Sequence, residues 1–78
     1  MSGWQELLTV FQDMDVESAS FSAVYYNLLM WAPLEESMRI SRIYTQKIIE
    51  YYSKRHRVFR EECICGIVVP VEVTSEQV

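Results

Sequence analysis

The sequence has 78 residues, which is the size of one small domain. Half of them are hydrophobic, and this excludes a chain that is disordered throughout. The formal net charge of −4 argues against a domain that is basic overall, as most nucleic-acid-binding domains are. We therefore expect one folded domain over residues 1–78.

The charges are segregated along the chain. All seven Lys and Arg residues lie between Arg39 and Arg60. The segment before Arg39 contains six acidic residues, and the segment after Arg60 contains four. A basic segment between two acidic ones predicts that opposite charges neutralise each other, either within one chain or between chains.

Apolar residues at helical spacing predict a first helix close to the N-terminus. A capping box formed by Ser2 and Gln5 predicts where it begins. Asp13 and Asp15 predict its end, because short acidic side chains compete for backbone hydrogen bonds. The stripe expected to face the core consists of Trp4, Leu7, Leu8, Phe11 and Met14.

A second helix is predicted from Glu17 or Ser18 to Trp31 or Ala32, where Pro33 ends it. Its main stripe consists of Phe21, Val24, Tyr25 and Leu28. Apolar residues also occupy its other sides, which is typical of a helix that is buried on several sides or has a second face for association. The candidates for a partner-binding face are Tyr26, Leu29 and Met30, and burial of all three in the core is the alternative.

The third predicted helix is long and amphipathic, from Leu34 to about Arg60. Its apolar side consists of Leu34, Met38, Tyr44, Ile48, Ile49, Tyr52 and Phe59. Ile43 falls among the charged residues and is expected to point outward. About 25 helical residues span roughly 38 Å, which is too long for a compact chain of this size. Either the helix breaks near residues 51–53, or a partner covers its far end.

Residues 63–73 are rich in β-branched side chains and predict one C-terminal strand, followed by a polar tail over 74–78. Pro70 is expected at a sheet edge or a bulge, because it has no N–H to donate. No other segment predicts a strand, so this one is expected to pair with a second copy or with another protein. A hairpin turning near Gly66 or Pro70 is the less favoured alternative. The expected fold class is mainly α (α+β).

Residues that could carry chemistry are few. His56, Cys63 and Cys65 are three zinc-type ligands, but a C-x-C pair without a second pair is a weak metal signal. Both thiols are expected to pack as small hydrophobic groups on the apolar face of the strand. The sequence therefore predicts a protein that is not an enzyme and has no metal or cofactor.

The expected function is protein–protein binding by a small regulatory or adaptor protein that forms a homodimer. The predicted partner-binding residues are Tyr26, Leu29, Met30, Ile67, Val69 and Val71. The alternative is nucleic-acid binding by the basic face of the long helix, which consists of Arg39, Arg42, Lys47, Lys54 and Arg57. With no export signal and no apolar stretch long enough to span a membrane, a soluble cytoplasmic protein without membrane contact is expected.

Overall fold

The computed structural model describes residues 3–74, which form three α-helices and a two-stranded antiparallel sheet. The helices are α1 (Gly3–Asp13), α2 (Phe21–Trp31) and α3 (Ser37–Ser53), and the strands are β1 (Phe59–Ile64) and β2 (Ile67–Glu72). A 3-10 turn, Leu34–Glu36, leads into α3. The predicted mainly α (α+β) fold class with a long third helix is confirmed. The predicted capping box at Ser2 and residues 75–78 of the tail lie outside the described residues.

Four stacked aromatic rings join the three helices. Phe11 of α1 lies 5.0 Å from Phe21 and 5.8 Å from Tyr25, measured between ring centroids. Tyr44 of α3 stacks on Tyr25 at 4.0 Å. Burial raises the pKa of the Tyr25 phenol to about 12, so this side chain stays neutral at ordinary pH. The stripes predicted for α1 and α2 are therefore confirmed as core.

Helix α3 packs on two sides, and this changes its predicted core stripe. Ile48 is buried and Tyr52 packs against the core, as predicted. Leu34 is 89% exposed instead, because it lies in the 3-10 turn, where three residues per turn replace the helical 3.6. Ile43 was predicted to point outward and packs against the core. The prediction of a single buried side is therefore wrong, because α2 lies against one side of α3 and the strands lie against another.

The predicted extension of α3 to Arg60 is wrong, because the helix ends at Ser53. His56 adopts the left-handed conformation, with φ of 61°. The backbone N–H of Arg57 donates back to the carbonyl of Tyr52 at 3.0 Å, as in a Schellman-type end. The alternative that the helix breaks near residues 51–53 is therefore correct.

The prediction of a single strand over 63–73 is also wrong. Strand β1 begins at Phe59 and pairs antiparallel with β2, with Ile64 opposite Ile67 at the end of the hairpin. Cys65 and Gly66 form the two-residue turn, with φ of 52° and 84°. Positive φ at both positions is the type I′ geometry, whose twist matches that of the strands. The hairpin at Gly66, the less favoured alternative, is the one that forms.

Pro70 lies where its missing N–H is harmless. The backbone N–H of Val73 donates to the carbonyl of Val58 at 2.8 Å, so the pair 58/73 is hydrogen-bonded. Hydrogen-bonded and non-hydrogen-bonded pairs alternate in an antiparallel ladder, which makes Pro70 and Glu61 a non-hydrogen-bonded pair. The nitrogen of Pro70 therefore faces away from β1. The predicted edge position of this proline is confirmed.

The described part of the chain is flat. Its principal extents are 46 × 27 × 14 Å, and its radius of gyration is 13.3 Å. A compact chain of this length has a radius of gyration of about 11.5 Å. A further layer of structure would add about 10 Å to the shortest extent. A molecule only 14 Å thick therefore leaves the outer faces of its helices and strands without a covering layer.

Candidate protein-binding surface

Two buried polar side chains of α3 cover the outer edge of β2. Ser41 and Thr45 are fully buried. The backbone N–H of Val68 donates to Oγ of Ser41 at 2.8 Å, and Oγ1 of Thr45 donates to the carbonyl of Val68 at 3.0 Å. The helix thus replaces a neighbouring strand at this residue. Neither residue was predicted to have this role. Two hydroxyl side chains four residues apart on the apolar side of a helix are a sequence signal that could have indicated it.

The outer edge of β1 has no such cover. Because the pair 58/73 is hydrogen-bonded, the backbone groups of Phe59, Glu61 and Cys63 point away from β2. Among the described residues, nothing pairs with these three backbone positions. We call this the β1 edge. It offers a template for a further strand.

One face of the hairpin contacts α3. Val68 is buried on this side, and the ring of Phe59 lies 5.0 Å from that of Tyr52. Sγ of Cys63 lies 3.7 Å from Sδ of Met38. Side chains alternate between the two faces of a strand, so the intervening residues point to the opposite side.

That opposite side is the open face, and it is largely apolar. Val58, which directly precedes β1, is 60% exposed, and Ile64, the last residue of β1, is 49% exposed. The salt bridge between Arg60 and Glu62 lies across the same face, with its two charged atoms 2.9 Å apart. The open face consists of Val58, Arg60, Glu62, Ile64, Ile67, Val69, Val71 and Val73. It includes the predicted partner-binding residues Ile67, Val69 and Val71, which are half-buried. Val58 and Ile64 were not among the predicted partner-binding residues, because strand β1 was not predicted.

A second apolar patch lies at the end of α2. Tyr26 is 62% exposed and Met30 is 73% exposed, one helical turn further along. Trp31 and Leu34 follow at the same end of the helix and are exposed as well. Leu29 is different, since it is half-buried and packs against the core. Two of the three residues proposed from α2 are thus accessible to a partner.

The basic residues proposed for nucleic-acid binding contact groups of their own chain. Arg57 donates through Nε and Nη2 to both carboxylate oxygens of Glu72, at 2.9 and 2.8 Å. These hydrogen bonds lower the pKa of Glu72 and raise that of Arg57. The other pairs are Arg39 with Glu36, Arg42 with Glu61, Lys54 with Glu50, Arg55 with Glu17 and Arg60 with Glu62. Acidic and basic segments therefore neutralise each other within the chain, as the sequence predicted.

Lys47 has a structural contact instead of an ion pair. Its Nζ donates to the backbone carbonyls of Gln12 and Met14, both at 2.9 Å. Carbonyls at the end of a helix lack internal partners, and a cation there also complements the helix dipole. Lys47 thus fixes the end of α1 against α3. It is the least accessible member of the proposed basic face.

A cleft of about 380 Å³ lies between the α1–α2 loop and the C-terminal half of α3. Its wall carries three bases and three acids, and Arg55 and Glu17 are already paired across it at 3.1 Å. Charges of both signs define no single class of charged ligand. The cleft lining is Met14, Asp15, Val16, Glu17, Lys47, Glu50, Tyr51, Lys54 and Arg55.

The cysteines do not pack as predicted. Cys63 and Cys65 are both exposed thiols. Cys65 lies in the hairpin turn, so it has no place on the apolar face of a strand. Within residues 3–74, no three His, Cys, Asp or Glu side chains are grouped so that they could hold a metal ion.

No protein-family model, curated protein or solved structure matches this chain. None of the helices in the described range is both long and apolar enough to cross a membrane. The functional proposals below consequently rest on the surfaces of the molecule itself.

Proposed function

We propose that this protein is a small non-enzymatic regulatory or adaptor protein that acts by binding another protein, and that it forms a homodimer. The observation that carries the proposal is the open face of the hairpin. Six of its eight residues are apolar, and within residues 3–74 the hairpin packs chiefly against α3, which lies on the other face. Val58 and Ile64 are exposed and the other four are half-buried, and contiguous apolar surface of this kind marks interaction sites.

The α2 patch and the flat shape support the same proposal. Strand β1 runs antiparallel to α3, with Cys63 beside Met38 and Phe59 beside Tyr52. The hairpin turn therefore lies at the N-terminal end of α3, the end that follows the α2 patch in the chain. Apolar groups exposed at this end of both elements extend the area that a protein partner can bury.

Replacing Val69 with lysine tests the open face. The lysine stem can lie along the sheet while its ammonium group reaches water, so the fold should remain intact and the free energy of unfolding should change by about 1 kcal/mol or less. Binding should weaken by roughly tenfold or more, because a charge enters an apolar interface. Quantitative affinity capture from the native host measures partner binding, and unfolding in urea measures the stability.

Val10→Lys is the matched control for this experiment. Val10 is 55% exposed on α1, away from the open face, so the same change in charge and size should leave both measurements unaltered. Equal binding by the wild type and the Val69 variant would contradict the assignment of the open face. Equal loss in both variants would point to a non-specific charge effect.

The contacts of the basic residues do not favour the nucleic-acid alternative. We expect no salt-dependent complex with single-stranded or duplex RNA or DNA in gel-shift assays at about 50 and 200 mM salt, since phosphate contacts would show a steep loss of affinity over this range. The informative variant is Arg39→Glu with Arg42→Glu, which leaves Lys47 to hold α1. A complex that forms at low salt and disappears in this variant would restore the alternative.

A further inference from the structure

We infer that two copies of this chain join along their β1 edges, as an antiparallel pair centred on Glu61. The result is a four-stranded sheet with strand order β2-β1-β1-β2. This inference rests on the proposed homodimer and assigns its interface. It accounts for the one strand edge that α3 leaves uncovered within the described part of the chain.

The two edges of the hairpin differ in what they offer a further strand. The β2 edge offers less, because Ser41 and Thr45 occupy both backbone groups of Val68 and Pro70 has no N–H, which leaves Glu72 as its one outward position with a donor and an acceptor to offer. The β1 edge presents donors and acceptors at three alternate positions, Phe59, Glu61 and Cys63. An added strand therefore gains more hydrogen bonds along β1 than along β2.

The three positions of the β1 edge are symmetric about Glu61. A two-fold axis at this residue places Phe59 opposite Cys63 of the partner subunit, and Cys63 opposite the partner's Phe59. All three positions then become hydrogen-bonded pairs. This is the isologous arrangement expected of a symmetric homodimer.

Side-chain charge selects this register over its neighbours. With the axis at Glu61, Arg60 lies opposite the partner's Glu62, and the same attractive pair occurs twice. Moving the axis by one residue places either Arg60 or Glu62 opposite its own copy, which sets like charges against each other. A second copy of the chain therefore supplies the complementary charges that this register needs.

Glu61 itself meets the partner's Glu61 at the axis, on the side that faces α3. Each of these carboxylates has a base beside it, because Nε of Arg42 lies 3.9 Å from Oε1 of Glu61. Nε2 of Gln46 also donates to Oε2 of Glu61 at 3.5 Å. The two arginines offset the repulsion between the two glutamates.

Mixing two charge variants tests the interface. In Arg60→Glu and in Glu62→Arg, both cross-strand pairs become repulsive, so each homodimer should dissociate roughly tenfold more readily than the wild type. An equimolar mixture should recover wild-type affinity as a heterodimer, because every cross-strand pair is again of opposite charge. The mixture does not restore the Arg60–Glu62 pair within either chain, so recovery reports contacts between chains. Sedimentation velocity with one labelled variant measures it, and circular dichroism checks that both variants are folded.

Disulfide trapping tests the register. In a Cys63→Ser, Cys65→Ser background, Glu61→Cys places two thiols at the axis with Cα atoms about 5.5 Å apart, within disulfide range. Glu62→Cys is the control, since its two copies are offset by two residues and lie beyond about 7 Å. Rapid cross-linking at position 61 alone is the expected result.

The outcomes separate this inference from the proposed function. A dimer that cross-links no faster at position 61 than at 62, or whose charge variants do not complement each other, overturns the β1 edge interface and leaves the homodimer. A chain that stays monomeric at tens of micromolar overturns the interface and the homodimer together. Arg60, Glu61 and Glu62 would then be charged residues that prevent the exposed strand edge from pairing with another strand. Partner capture through the open face is measured independently of both.

Discussion

Phe11→Ala should unfold the protein or bring it close to unfolding. Phe11 is fully buried and stacks on two rings of α2. Its truncation removes apolar contacts and leaves a cavity, at a cost of about 3–5 kcal/mol. A single small core supplies about the same total stability, roughly 3–5 kcal/mol. Urea unfolding followed by circular dichroism measures the change.

The neighbouring valine provides the control. Val10 precedes Phe11 on α1 and is 55% exposed, so Val10→Ala should change the free energy of unfolding by about 0.5 kcal/mol or less. A loss below about 1 kcal/mol in Phe11→Ala would show that the aromatic cluster is not the centre of the core.

Ser41→Ala combined with Thr45→Val should detach β2 from α3. The first change removes the acceptor for the Val68 N–H, and the second removes the donor to the Val68 carbonyl. Each buried backbone group left unsatisfied costs about 1–3 kcal/mol, so the double variant should lose about 2–6 kcal/mol. Thr45→Val preserves the shape of the side chain, so no cavity contributes. Unfolding in urea measures the loss, and hydrogen exchange should show faster exchange of the Val68 amide.

Ser53→Ala is the matched control for the lost hydroxyl. Oγ of Ser53 donates to the carbonyl of Glu50 in an exposed position at the end of α3, where water can replace it. This variant should be within about 0.5 kcal/mol of the wild type. If the double variant is equally stable, and the Val68 amide remains protected, then another group covers the β2 edge.

The two N-terminal helices could be predicted because their signals are local. Apolar residues at 3.6-residue spacing mark one helix face wherever that face is buried, so Phe11, Phe21, Tyr25 and Leu28 were placed in the core without knowledge of the fold. Neutralisation of the charges was predicted in the same way, from their order along the chain. The residues proposed for partner binding were harder to predict. The exposure of Leu29 and of Met30 depends on how α2 packs against α3, which the periodicity of α2 does not show.

The end of α3 and the hairpin could not be predicted, because their usual sequence signals are absent. A glycine commonly ends a helix in the left-handed conformation, and here His56 adopts it. Asn-Gly or Asp-Gly is the usual type I′ turn, and here the turn is Cys65-Gly66. The charged sequence of β1, Phe59 to Ile64, also fits the exposed side of a helix. Only β2 could show that this segment is a strand.

By itself the sequence determined a small α-rich domain with an aromatic core, a long third helix and charges that neutralise each other. The tertiary structure decided which edge and which face of the hairpin remain open. Both depend on α3, whose Ser41 and Thr45 hydroxyls close the β2 edge over a separation of more than twenty residues. Strand pairing and edge covering join distant residues, so their energies do not appear in the local periodicity of the chain, and only the packed structure shows them.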